Sequence, residues 1–284
     1  HNSRAAREKR LPDFIGQSLA VASGRAGRLL RTVSVATTLC RKTIFTVDPE
    51  NIKALLAVQF QDFGLGVNRT DNFKPLLGKG IFAANGSQWA HSRALLRPQF
   101  SRSQVSDLEL EESHVGAMMS VLGRRRGPDG WTDRVDLKPL FFCLTLDSAT
   151  EFLFGESVDS QLGQGSSDAP SARTTWLAHT SEFRRSDRAV HSFVDYFVQL
   201  AMDQAADAQV ETEKGKYVFL NALARETRDA TELRSQLLNI LLAGRDTTAS
   251  SLSWFFFTMA DARYHHVWRR LRSTILHFGT YSNP

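Results

Sequence analysis

The chain has 284 residues, of which 42% are hydrophobic and 10% aromatic, so it can bury a sizeable core and is not an intrinsically disordered protein. Its formal net charge of +5 is spread along the sequence, which fits a membrane surface or an acidic redox partner as well as a nucleic acid. No nucleic-acid recognition motif accompanies this charge, so we do not expect nucleic-acid binding.

The first predicted elements are a short strand and a helix. Residues 43–47 alternate β-branched and aromatic side chains, as strands do. Asp48 and Pro49 follow as the N-cap and first residue of a helix that extends to about Ala57. Residues 64–86 contain five glycines and one proline, which predicts a long surface loop. Its apolar residues are candidates to line a substrate channel: Phe73, Leu76, Leu77, Ile81 and Phe82.

Helices dominate the rest of the chain. A helix that begins at Trp89 ends before Pro98, and apolar residues at helical spacing predict four more, at residues 101–122, 135–154, about 179–206 and about 231–262. The residues after the last of these helices look like a connection. The predicted fold class is therefore mainly α with a small β element.

The most apolar predicted helix, residues 231–262, has a polar centre with the sequence Ala-Gly-Arg-Asp-Thr-Thr at residues 243–248. A glycine inside a helix costs roughly 1 kcal/mol relative to alanine, and a buried charge costs more unless it has a partner. The central charges also disfavour a membrane-spanning helix. A structural helix with a kink and a salt bridge is one interpretation, but the complete string favours a functional centre in a buried helix.

Each part of this string suits a buried reaction centre. The small residues Ala243 and Gly244 let a flat cofactor lie against the helix, and a threonine hydroxyl can bond to a carbonyl one turn earlier and locally open the helix. Asp246 and Thr247 are then placed to pass protons from solvent to the site.

A second pair of candidate residues precedes this helix. Trp89 and Arg93 are four residues apart, so they share one helix face and can direct an indole N–H and a guanidinium at the same carboxylate. The alternative is a stacked pair on the protein surface.

Residues 243–248 resemble the [AG]-G-x-[DE]-T-[TS] signature of the central helix of the cytochrome P450 family, and residues 89–93 resemble the W-x-x-x-R pattern of its propionate-binding helix. Residues 46–54, 146–155 and 268–272 are similar to the fungal alkane and fatty-acid hydroxylase branch. The resemblance implies a cytochrome P450 fold that stops after the central helix.

The resemblance also implies roles for the candidate residues. Thr247 hydrogen-bonds the bound dioxygen, and Asp246 delivers protons for cleavage of the O–O bond. Haem b is the implied cofactor, with its propionates bound by Trp89 and Arg93. The implied partners are O2, a small, long-chain apolar substrate such as an alkane or fatty acid, and an NADPH–cytochrome reductase. In the full-length family member, the implied location is the cytosolic face of the endoplasmic reticulum membrane.

The thiolate ligand that the family uses has no counterpart here. Cys40 and Cys143 are the only cysteines. Their separation predicts neither a disulfide framework nor a protein-bound metal site, and Cys143 fits a buried structural cysteine. We therefore expect residues 1–284 to be a single incomplete P450 domain, without a membrane anchor or the haem-ligand region, and inactive by itself. The alternative is a non-catalytic helical remnant that binds an apolar ligand or a protein partner.

Overall fold

A computed structural model describes most of the chain, and its contacts divide it into two compact units, His1–Gly64 and Leu65–Pro284. The described residues are 11–36, 42–101, 108–132, 134–162, 181–206 and 217–279. Helices form most of both units, and the described strands form one two-stranded sheet. The predicted mainly α fold class with a small β element is confirmed.

The first unit contains helix α1 (Leu11–Ala26), strands β1 (Thr32–Ala36) and β2 (Lys42–Thr46), and helix α2 (Pro49–Lys53). The two strands are antiparallel, with Val33 opposite Phe45. The predicted cap of α2 is confirmed, because the Asp48 side chain accepts a hydrogen bond from the Glu50 amide at 3.0 Å. The predicted helix is interrupted, since a π-helical turn (Ala54–Val58) follows α2.

The second unit consists mainly of helices in the described residues, with one isolated β-bridge between Arg126 and Thr132. Its helices are α3 (Val67–Leu77), α4 (Gly86–Leu96), α5 (Leu108–Gly123), α6 (Leu137–Phe154), α7 (Ser181–Ala206), α8 (Phe219–Glu226), α9 (Ala230–Met259) and α10 (His265–Gly279). None of the described helices combines the length and hydropathy that crossing a bilayer requires.

The predicted long loop at residues 64–86 is wrong, because α3 occupies half of it. The glycines mark the ends of this helix. Gly66 is its N-cap, and Gly78 ends it with a φ of 58°, a conformation that glycine adopts without strain. Glycine content alone therefore did not distinguish a loop from a helix with glycine at both ends.

The core of this unit forms around the first half of α9. Asp229 caps the helix by accepting hydrogen bonds from the amides of Thr231 and Glu232. Leu233 and Leu237 are fully buried and pack in one cluster with apolar residues of α6, α7 and α8. The predicted helix at residues 231–262 is confirmed within three residues at its C-terminal end.

Besides α1 and α3, two further helices have no counterpart among the predicted elements. Helix α8 is short, and its apolar face includes the fully buried Phe219 and Leu223. Helix α10 occupies residues that we expected to be a connection, although residues 280–284 lie outside the described range.

Candidate functional site

The centre of α9 borders an apolar cleft of about 520 Å³ within the second unit. This volume lies in the range of small-molecule and cofactor sites, roughly 300–1,000 Å³. Helix α6 forms the opposite wall, and residues of α5 and the preceding segment lie at the edge. The residues that α9 contributes are Ile240, Ala243, Gly244, Thr247, Thr248 and Leu252. Three predicted site residues, Ala243, Gly244 and Thr247, therefore lie together on one surface.

The protein does not itself require a glycine at position 244. A Cβ built there would meet the Ala149 Cβ of α6 at 3.8 Å, which is an ordinary van der Waals contact. Ala243 next to it also has a small side chain. Small side chains thus occupy both of these positions, where α9 borders the cleft.

Thr247 bonds back to its own helix, as predicted. Its hydroxyl donates to the Ala243 carbonyl at 2.7 Å, while residues 243–248 remain helical. The predicted local opening of the helix is therefore not observed. A hydroxyl has one proton, so in this conformation Thr247 can only accept hydrogen bonds from a group in the cleft.

Asp246 is not among the residues that line the cleft. Its carboxylate lies 3.5 Å from the Arg245 guanidinium, and both side chains are nearly half exposed, at 45% and 42%. The polar centre is therefore only partly buried: Arg245 Nε and Asp246 Oδ1 are buried without a hydrogen-bond partner, whereas the fully buried residues of α9 concentrate in its first half. The Arg245 guanidinium also lies over the Phe142 ring of α6, 5.2 Å from its centroid. Asp246 can therefore exchange protons with solvent.

Trp89 and Arg93 lie on α4, where the Arg93 guanidinium is 5.5 Å from the centre of the Trp89 ring. Both interpretations of the pair require this shared helix face, and the stack itself is what the alternative of a stacked surface pair predicts. Arg93 is exposed and Trp89 is half-buried. Neither residue lines the cleft at the centre of α9.

A threonine that the sequence analysis missed joins the two walls of the cleft. The hydroxyl of Thr145 on α6 lies 2.9 Å from the Arg245 carbonyl of α9 and 3.0 Å from the Phe141 carbonyl of its own helix. Thr145 is buried in the cleft wall. A single threonine in an apolar helix has no sequence signal that reveals its partner 100 residues away.

The side chains that could bind a metal ion are those of histidine, cysteine and the acidic residues. Within the described residues, no group of three histidine, cysteine or acidic side chains could hold a metal ion. Cys143 is partly buried in α6 and is not one of the cleft-lining residues. Cys40 lies outside the described residues.

Comparisons with known proteins identify fungal relatives of this chain. The chain is 47% identical to cytochrome P450 monooxygenase g430 from Fusarium sp, over 86% of this chain and 48% of the relative. It is 43% identical to cytochrome P450 52A12 from Debaryomyces hansenii, over 82% of this chain and 48% of the relative. The chain thus spans about half the length of these curated fungal relatives.

The fold comparison gives the same result. The crystal structure of the cytochrome P450DA heme domain superposes with a TM-score of 0.63 at 17% identity, over 84% of this chain and 52% of that one. The family model for cytochrome P450 matches residues 35–277. The chain therefore belongs to the cytochrome P450 family.

Proposed function

We propose that this chain forms the oxygen-side wall of the haem site in a haem-thiolate monooxygenase, with residues 1–284 belonging to one P450 domain. The observation that carries the proposal is the shared position of Ala243, Gly244 and Thr247 on the cleft face of α9. When bound through a cysteine thiolate, haem supplies the oxygen-activating chemistry of the family.

The described residues fit one side of this cofactor. Ala243 and Gly244 offer the surface against which the flat group lies. Trp89 and Arg93 present an indole N–H and a guanidinium, the donors that a propionate accepts from. The thiolate is not available from Cys143, which is partly buried in α6 away from the cleft-lining residues. We therefore expect residues 1–284 to have no monooxygenase activity by themselves.

Thr247 and Asp246 take separate parts in proton handling. Thr247 faces the cleft and can accept a hydrogen bond there while its own proton is held by the Ala243 carbonyl. To donate into the cleft, its hydroxyl must leave that carbonyl. Asp246 is the next residue on the helix and is half exposed, so it can take protons from solvent and deliver them toward Thr247.

The apolar cleft walls favour a long apolar substrate, and we propose hydroxylation of an alkane or a fatty acid. The electrons come from NADPH through an NADPH–cytochrome reductase, as the family resemblance implies. For the full-length family member we propose the cytosolic face of the endoplasmic reticulum membrane.

A non-catalytic role is the second candidate. Trp254 and Phe257 on the second half of α9 are 66% and 72% exposed, and they form an edge-to-face pair. A helical remnant that binds an apolar ligand or a protein partner would use such a surface.

The experiment that tests the proposal compares two proteins. One is the 284-residue chain, and the other is a chimera in which the C-terminal half of the Fusarium relative follows this chain. After haem loading and reduction under CO, the chimera is expected to give the absorbance band of thiolate-ligated haem, and the chain alone is expected to lack it. A thiolate band from the chain alone, or a chimera that folds but binds no haem, contradicts the proposal.

A further inference from the structure

Three polar side chains follow one face of α9 ahead of the cleft. Glu232, Gln236 and Asn239 are spaced four and three residues apart, so they are neighbours on the helix surface. Ala243 and Thr247 continue this row at further steps of four residues. The row thus extends from contacts with the segment around α4 to the residues that face the cleft.

Asn239 binds the backbone on both sides of the turn that follows α3. It is fully buried. Its amide nitrogen donates to the Leu77 carbonyl at 2.9 Å, and its amide oxygen accepts from the Phe82 N–H at 2.9 Å. A Cβ on Gly80 would lie 2.1 Å from the Asn239 amide nitrogen. Only glycine at position 80 lets the backbone of the turn approach the Asn239 side chain so closely. The turn therefore packs directly on this part of α9.

Gln236 and Glu232 make direct contacts with α4. The Gln236 amide nitrogen donates to the Ser92 hydroxyl at 2.8 Å, and both residues are almost fully buried. One turn earlier, Glu232 lies 2.7 Å from the His91 ring nitrogen. Ser92 and His91 lie between Trp89 and Arg93 in sequence, so these contacts hold the same helical turns that carry the stacked pair.

We propose that Gln236 and Asn239 are positioning residues that hold α4 and the preceding turn in one register along α9. They thereby set where Trp89 and Arg93 lie relative to Ala243 and Gly244. The register itself is independent of the proposed function. Its role in haem binding rests on that proposed function. Apolar contacts alone tolerate sliding of one helix along another, whereas a shift by one residue, about 1.5 Å, would break the hydrogen bonds that both buried amides make to α4 and to the turn. The Asn239 amide nitrogen would keep only its bond to the Ser235 carbonyl of its own helix.

The test measures the register in the full 284-residue chain without haem. Cys40→Ser and Cys143→Ala first remove the cysteines of the chain itself. Spin labels are then placed at the exposed positions Ala90 and Ser251, and pulsed electron paramagnetic resonance gives the distance between the two labels. The test variants are Asn239→Ala and the double variant Ser92→Ala/Gln236→Leu. The double variant removes both partners, so it leaves no buried polar group unpaired and retains the fold.

Both test variants are expected to broaden the distance distribution or shift it by at least about 1.5 Å. Ser92→Thr keeps the hydroxyl and is expected to keep the parent distance. Ser253→Ala is the matched control, because the Ser253 hydroxyl bonds only the Ala249 carbonyl within α9. Variants that lose stability but keep the parent distance would show a merely structural role and overturn the proposal.

The chimera separates this inference from the proposed function. If both are right, the variants that change the distance also lose haem during gel filtration, while Ser253→Ala retains it. A changed distance with normal haem retention leaves the register role standing and contradicts the assignment of Trp89 and Arg93 as haem ligands.

Discussion

The Thr145 hydroxyl of α6 lies 2.9 Å from the Arg245 carbonyl of α9, immediately after the cleft-facing Gly244. This contact joins the two helices that form the cleft walls. The Thr145 hydroxyl is buried, which is consistent with a role in fixing the two helices relative to each other.

Replacing Thr145 tests that role. Thr145→Val keeps the shape of the side chain but removes the hydroxyl, so we expect a loss of about 1 kcal/mol in the free energy of unfolding, the usual contribution of one such hydrogen bond. Urea denaturation of the 284-residue chain measures it. Thr145→Ser, which retains the hydroxyl, should be closer to the parent, and equal stability of the parent and Thr145→Val would show that the contact is dispensable.

Thr247→Ala tests the proton-handling role of the cleft-facing hydroxyl. In the chimera it should leave haem content and substrate binding nearly unchanged while diverting reducing equivalents into hydrogen peroxide. The ratio of peroxide to hydroxylated product measures this diversion. Thr258→Ala is the matched control, because the Thr258 hydroxyl makes the same kind of bond, to the Trp254 carbonyl one turn earlier on α9. Loss of haem with normal coupling in the remaining enzyme would show that Thr247 is structural.

Asp246→Asn tests whether this carboxylate delivers protons. General acid–base positioning contributes about 10²- to 10⁴-fold, so turnover in the chimera should fall by that factor, equivalent to about 3–5 kcal/mol in the activation barrier. A change in helix packing alone typically costs about 1 kcal/mol in stability. The control is Asp261→Asn, since Asp261 also pairs with a nearby arginine, Arg263, at 2.7 Å. Turnover within twofold of the parent would rule out the relay.

Trp89→Ala and Arg93→Ala test haem retention. Each should lower the haem-to-protein ratio of the purified chimera and reduce turnover only in proportion to lost cofactor. Arg69 and Phe73 on α3 provide the control, because they form the same i, i+4 stack, 5.1 Å from guanidinium to ring centroid. If Arg69→Ala reduces haem content as much as Arg93→Ala does, the effect is one of general helix stability.

The sequence carries a clearer signal for the polar centre of α9 than for the contacts around it. Residues 243–248 carry a local signal, since a polar string with glycine is costly in an apolar helix without a function. The partners of that helix carry none. Asn239 binds backbone groups of residues 77 and 82, and hydrogen bonds over such separations depend on tertiary packing. Helix propensity and periodicity do not encode them.

The errors in the predicted elements have a similar physical origin. The glycines at the ends of α3 resemble those of a loop, because the same residue that permits an irregular backbone also ends helices. Helix α8 is only eight residues long, so its apolar periodicity spans two turns and is hard to recognise. Its stability comes from burial of Phe219 and Leu223 in the core.

The central claim is that the small-residue face of α9 is the surface against which haem lies, and Gly244→Leu in the chimera tests it most directly. A Cβ at position 244 would meet the Ala149 Cβ of α6 at 3.8 Å, an ordinary van der Waals contact, and we expect the rest of the leucine side chain to extend into the cleft that this position borders. Ser251→Leu, at an exposed position on the same helix, is the control. In the CO difference spectrum of the reduced protein, we expect Gly244→Leu to lose the thiolate-ligated haem band while Ser251→Leu keeps it. A folded Gly244→Leu variant with the full band would contradict the claim.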